Sequence, residues 1–482
     1  MQHKSLKQNL IYNTLYQITV LILPFITAPY VSRVIGANGL GMYSYNHSVA
    51  LYFVYFAMLG LANYGNREIS KNCDDRKNLN KKFSSIYFLQ IITSAIITCL
   101  YVIYLLIFNN KNLDIGLIMC LHIFSSFFDV SWLFFGLQEF KITSIRQMLI
   151  KLISVTLIFV FVKNRNDLWI YTIIMSMSYF LSAFSLWVFM FKKVKIVKCS
   201  CKEIFENLKP SLVLFIPIIA TSVYRIMDKI MIGNFSSMSD VGYYENAEKI
   251  IMISLGILNA FCAVIMPKIV NLLSNQKKNE ARELFDKSMK LSTFICFAIA
   301  FGIATVAYEF IPIFFGNDFL PSIKICIMLC LTVPFITWST MIRNLYLIPY
   351  EKDNIYVNSI VIGAILNFII NFICIPKFGV MGAVIGTTIA EIAVALYQTW
   401  KIKREINLNK YLKYVGVFFC LGAVMFITVY FIKKQIIDNS NIIIKLFMEI
   451  TTGASVYLFM SMIYIIRTEG YNIKRIIKKR GE

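Results

Sequence analysis

The sequence predicts an all-α integral membrane protein with about 14 transmembrane helices, and three observations lead there. Of the 482 residues 58% are hydrophobic, and the mean hydropathy is +0.66. Only 15% are charged, against roughly 25% in a soluble domain. The apolar residues fall in runs of about 18 to 25, which as helices cross a hydrocarbon core of about 30 Å.

In chain order the spans fall near 10–32, 42–62, 84–107, 115–138, 144–162, 168–191 and 211–233, then 243–266, 289–308, 322–343, 356–375, 379–400, 411–432 and 442–466. Met1–Asn9 is short, polar and basic, and Leu10 opens an apolar segment without a small-residue cleavage site. The first helix is therefore expected to stay as a span. Gly39-Leu40-Gly41, Asn109-Asn110, Asn164-Arg165-Asn166, Gly316-Asn317-Asp318 and Pro376-Lys377 read as turns between spans.

A net charge of +22 would point to nucleic acid in a soluble chain. Here the cations sit in short loops between apolar runs, so no nucleic-acid partner is expected. Alternate loops carry them: Arg67–Lys82, Lys192–Lys209, Lys268–Lys290, Lys401–Lys413 and Arg467–Arg480 are rich, and the intervening loops are poor. The positive-inside rule then puts both termini in the cytoplasm, and contact with anionic membrane lipids follows. No hydrophilic stretch reaches the roughly 40–50 residues of a minimal domain. The eleven cysteines are scattered. Cys199 and Cys201, in a Lys-rich loop without histidine, make no metal motif, so reduced thiols, no metal and no cofactor are expected.

An internal repeat organises the chain. Tyr30-Val31-Ser32-Arg33, Ile35-Gly36, Gly41-Met42-Tyr43 and Asn46 reappear as Tyr224-Arg225, Ile232-Gly233, Gly242-Tyr243-Tyr244 and Asn246. Each block joins the first two helices of a six-helix set, which predicts two pseudo-symmetric six-helix bundles of the same orientation. The expected divisions are 1–200, 201–405, and 406–482 with two additional helices and a basic cytoplasmic tail.

Polar residues inside apolar spans are the candidate functional residues, because a charge at the bilayer centre costs roughly 2.5–3.5 kcal/mol on insertion scales. Thr221, Tyr224, Arg225 and Asp228 line one face of the seventh span, with Lys229 beside them. His122, Ser125 or Ser126, Asp129 and Trp132 do the same in the fourth. Asn13, Tyr16 and Gln17; Tyr43, Asn46 and His47; Asn367 and Asn371; and Thr387 or Thr388 with Glu391 make shorter stripes. Each also has a packing explanation. Arg225 and Asp228 can be an i,i+3 ion pair, Arg33 and Lys229 can snorkel to headgroups, and the Asn, Tyr and His residues can join helices. Together they call for a polar lumen. Pro24 and Pro29 are expected to break the first span and Pro217 the seventh.

At these residues the chain resembles the O-antigen and polysaccharide flippases of the multidrug/oligosaccharidyl-lipid/polysaccharide (MOP) exporter superfamily. The resemblance rests on Tyr30–Gly36, Asn63–Ile69, Asp129–Lys141, Phe215-Ile216-Pro217, Asp228–Gly233, Gly242–Glu245 and Met266-Pro267. It implies two bundles around a cavity that opens alternately to either side of a bacterial inner membrane. The implied cargo is an undecaprenyl-pyrophosphate-linked oligosaccharide, an O-antigen or capsule unit, moved from cytoplasmic to periplasmic leaflet. An O-antigen polymerase and a chain-length regulator become expected partners. Arg33, Arg225 and Lys229 would suit the pyrophosphate or acidic sugars. Asp129, Trp132, Tyr224 and Asp228 complete the implied substrate set, with Trp132 and Tyr224 as flat faces for sugar rings. Asp129 and Glu391 are candidates for ion coupling. No catalytic residue is expected: a polymerase would need a large periplasmic loop, and an acyltransferase a histidine beyond His3, His47 and His122. A drug/cation antiporter would have twelve spans and an acidic lumen. A lipid II flippase shares the span count.

Overall fold

The computed structural model describes residues 2–108, 112–436 and 441–469, with side chains at Thr19 and from Ile22 onward except at Tyr224 and a few positions beside the gaps. Thirteen helical stretches among them are long and apolar enough to cross a membrane. The first, Ile22–Asn72, has 51 residues, about 75 Å of helix, more than twice a hydrocarbon core. It holds two spans, so about 14 is the observed number.

In chain order the helices are α1 (Gln2–Met58), α2 (Leu61–Asn72), α3 (Arg76–Phe108), α4 (Leu113–Phe124), α5 (Ser131–Gly136), α6 (Phe140–Phe161), α7 (Leu168–Phe184), α8 (Trp187–Met190) and α9 (Cys201–Phe205). Then come α10 (Leu208–Phe235), α11 (Met238–Ser274), α12 (Lys278–Phe315), α13 (Pro321–Leu329), α14 (Val333–Ile342), α15 (Asp353–Phe378), α16 (Val380–Ile402), α17 (Leu408–Ile436) and α18 (Ile442–Glu469). Two compact units divide the chain: Met1–Glu245 with Asn371–Ala383, and Asn246–Ile370 with Val384–Glu482.

The burial pattern is that of a chain solvated by lipid. Ile103, Leu106, Phe108, Phe419, Phe431 and Phe459 are exposed, whereas Ser84, Ser85, Ser94, Ser288, Ser292 and Thr293 are buried. Small hydroxyl residues let helices approach closely and satisfy their own donors within their helix. Ser84 Oγ donates to Asn80 O at 2.8 Å and Ser288 Oγ to Leu284 O at 2.8 Å.

Several expected breaks are moved. α1 runs through Pro24 and Pro29, and α10 through Pro217. The break in α1 is Gly36, at φ 76 and ψ 174, a conformation that essentially only glycine adopts. Gly39-Leu40-Gly41 is helical. So is Pro376-Lys377, with its turn at Gly379, φ 57. Asn164 does open a turn, capping residues 165–167, and Gly316, at φ 95, ends α12. Asn109-Asn110 lies outside the described residues. The two longest cationic loops are mostly helix, interrupted only around 73–75 and 275–277.

The fourth span is two helices rather than one. α4 passes into a 3-10 turn at Ser125–Phe127, and α5 restarts at Ser131. Gln90 of α3 meets the carbonyls freed there, donating to Ser126 O at 2.6 Å and Asp129 O at 3.0 Å. Without such a donor the break would leave backbone groups unsatisfied in an apolar environment. The tenth span is interrupted likewise, by a 3-10 turn at Cys330–Thr332 between α13 and α14.

Candidate functional site

The repeated blocks meet within the first unit. A Cβ on Gly41 would lie 1.6 Å from Met238 O, and one on Gly242 2.1 Å from Ala37 O. Asn38 Nδ2 donates to Ser239 Oγ at 3.4 Å, and Ser44 Oγ to Glu245 Oε2 at 2.9 Å, both across 201 residues of sequence. Gly41 and Gly242 have that separation too. Equivalent positions of the repeat therefore pair with each other, as around a local two-fold axis.

Beside this contact lies a buried polar network on α10 and α11. Asp228, 3% exposed, accepts from Tyr244 Oη at 2.7 Å and from Asn371 Nδ2 of α15 at 2.6 Å. Lys229 Nζ is 2.6 Å from Glu245 Oε2, with the side chains 16% and 19% exposed. Lys229 is thus ion-paired inside the unit. This pair, rather than a lipid headgroup, accounts for the position of its ammonium.

The remaining cations are placed differently. Arg225 is exposed on α10. Among the described residues it makes no ion pair. Arg33 is exposed three residues before the Gly36 break. The side chain of Tyr224 lies outside the described residues, as do those of Asn13, Tyr16 and Gln17.

Asp129 and Trp132 do not form a stripe with His122, because the break between α4 and α5 separates them. Asp129 is half-buried, and its Oδ1 accepts from the Ser131 amide at 3.0 Å, fixing the restart of α5. Trp132 is fully buried. Its Nε1 donates to Gln90 Oε1 at 3.0 Å, and its ring stacks on Phe83 at 5.4 Å. A Cβ on Gly65 would lie 2.5 Å from that ring. Trp132 is a core side chain with no face free for a sugar. Glu391, 6% exposed, sits on α16 in the second unit.

His122 stacks on Tyr179 at 4.0 Å and on His47 at 5.3 Å, and Tyr43 stacks on His47 at 5.6 Å. The histidines join α1, α4 and α7 as packing residues. Sequence reasoning missed Glu245 as the partner of Lys229. The signal was available: the two residues lie equally far in sequence from Ser237, at the turn between α10 and α11, so an antiparallel pair of helices sets them side by side.

A family model described as polysaccharide biosynthesis protein matches residues 6–273. A protein of Shigella dysenteriae named "Putative O-antigen transporter" is 22% identical over 410 residues, 83% of this chain and 100% of that protein. The capsular polysaccharide biosynthesis protein CapF of Staphylococcus aureus is 20% identical, covering 67% of this chain and 84% of its own. Among solved structures, the lipid II flippase MurJ in an inward closed conformation superposes with a TM-score of 0.75 at 18% identity, over 95% of this chain and 98% of that one. An inward-facing multidrug resistance MATE family transporter of the MOP superfamily gives 0.56 at 14%, over 80% and 98%. These two establish the fold.

Proposed function

This chain belongs to the polysaccharide biosynthesis protein family, and we propose that it is a flippase for an undecaprenyl-pyrophosphate-linked oligosaccharide. It carries an O-antigen or capsule unit from the cytoplasmic to the periplasmic leaflet of a bacterial inner membrane, with both termini cytoplasmic. Two six-helix bundles, 1–200 and 201–405, alternate the access of the cargo, and 406–482 adds two helices and a basic tail. The chain performs no catalysis in this reading.

The observation that carries the reading is the distribution of cations on and beside α10. Lys229 and Asp228 are committed to internal partners, whereas Arg225 is exposed and makes no ion pair among the described residues. Arg225, with Arg33, is suited to a diphosphate because a guanidinium offers paired donors to its oxygens. The O-antigen relative, matched along its whole length, supports the cargo class. Membrane lipids surround the exposed apolar faces, and the polymerase and chain-length regulator act on the delivered product.

Deleting the gene in its host and analysing lipid-linked saccharides tests this. Accumulation of the intermediate on the cytoplasmic leaflet, reversed by the wild-type gene and poorly by Arg225→Ala, is expected. Unchanged saccharide levels in the deletion strain would refute the function.

A further inference from the structure

Three charged side chains meet at one end of the second unit, on helices that carry none of the proposed cargo residues. Lys433 of α17 lies 2.5 Å from Glu309 Oε1 of α12 and 3.2 Å from Glu449 Oε1 of α18. Glu309 is about 9 Å from the C-terminal end of α12 and Glu449 about 10 Å from the start of α18, at about 1.5 Å per residue. The two carboxylates therefore sit at one level, and the Lys433 ammonium reaches both. The Glu309 side chain is 9% exposed and that of Glu449 1%. Glu309 Oε2 and both Glu449 carboxyl oxygens are buried without a hydrogen-bond partner, so Lys433 approaches Glu449 without hydrogen-bonding it.

The charges do not balance. Among the described residues Lys433 is the one cation within ion-pair distance of either carboxylate. Tyr308 covers its ammonium, 5.3 Å from the ring. The titratable groups nearest in sequence are Lys434, exposed; Lys445, half-buried one turn before Glu449; and Asp318 and Lys324, exposed after α12. Two ionised carboxylates sharing one ammonium leave an uncompensated buried charge, which is expensive in a medium of low polarity. One proton removes the excess and supplies a donor to an orphan oxygen.

We propose that Glu309 and Glu449 bind one proton between them at neutral pH, one carboxyl donating to the other carboxylate beneath Lys433. The proton comes from water at the helix ends, and its release leaves a second carboxylate buried. Proton binding is thereby linked to the docking of α17 and α18 on α12.

Infrared difference spectroscopy of the purified full-length protein in lipid reads this directly. At neutral pH, wild type minus Glu449→Gln should show one protonated-carboxyl stretch, because Glu309 left alone with Lys433 ionises. Glu309→Gln should lose the same band, and serves if the other variant fails to insert. Lys433→Met should raise the band about twofold, since both acids then become neutral. Absence of the band from both difference spectra would overturn the proposal. So would its disappearance on adding sodium at fixed pH, which would make the site a metal-cation site.

Discussion

A Cβ on Gly41 would lie 3.0 Å from the amide nitrogen of Gly242, so the two glycines allow backbone to meet backbone where the repeats pair. Met238 O, only 1.6 Å from the same Cβ position, is main chain and cannot swing away. Gly41→Ala must therefore separate α1 from the α10–α11 turn. A loss of about 1–3 kcal/mol is expected. Gly302, on α12, has nothing within 4 Å of its Cβ position, and Gly302→Ala is expected to be neutral. Thermal unfolding of the two variants in the same detergent checks this. Equal midpoints would mean that the close approach does not exist.

Lys229→Ala should be the more damaging of the two α10 cation substitutions. It removes the ammonium paired with Glu245, at a cost of about 2 kcal/mol for a half-buried pair. Adding Glu245→Ala should recover much of that. Arg225→Ala should reduce export with little change in stability. A double-mutant coupling for Lys229 and Glu245 below about 0.5 kcal/mol would make the pair incidental.

The spans were legible because the length of an apolar run is a property of local sequence. What failed depended on distant partners. Gly39-Leu40-Gly41 read as a turn, since glycine serves either a positive φ or a close approach, and only Met238, far along the chain, distinguishes them. The broken fourth span was invisible because Gln90, which holds the break, looks like any polar residue in an apolar run. Trp132 read as a sugar platform for the same reason. Glu309, Lys433 and Glu449 each lie near a span end, where a single charge reads as interfacial. Only the packing of three helices makes them a cluster.

Glu405, between α16 and α17, gives a pH dependence. The Lys352 ammonium, and then the Tyr346 hydroxyl, hold its carboxyl below the usual carboxylate range. Its stabilisation is complete above the unfolded value of about 4.3. It is lost as pH falls through the lower folded value. With the side chain 42% exposed, under about 1 kcal/mol is involved. The wild type should therefore lose more stability on acidification than Glu405→Gln. Parallel pH profiles would exclude the pair as a contributor.

The alternating cations predict a topology that labelling tests. Ser236, exposed between α10 and α11, should be labelled as Ser236→Cys by an impermeant maleimide from outside. Asn78→Cys should not, and the native exposed Cys73 and Cys201 should stay silent in intact cells. The reverse pattern would invert the whole chain.

Neutral isosteres separate the proposed ion coupling by Asp129 and Glu391 from packing. Asp129 Oδ1 accepts from the Ser131 amide, and the amide oxygen of Asn accepts equally well, so Asp129→Asn should insert and hold α5 in place. Glu391 is 6% exposed, and Glu391→Gln keeps its volume. A charge inside an apolar span is costly, so a proton taken up or released there changes the energy of the span most. Glu391 is the more deeply buried of the two carboxylates, whereas Asp129 already has a structural task at the start of α5. In proteoliposomes with an imposed pH gradient, Glu391→Gln should abolish the gradient response and keep downhill flux, with Asp129→Asn closer to wild type. A wild-type gradient response in both variants would remove both carboxylates from the coupling mechanism.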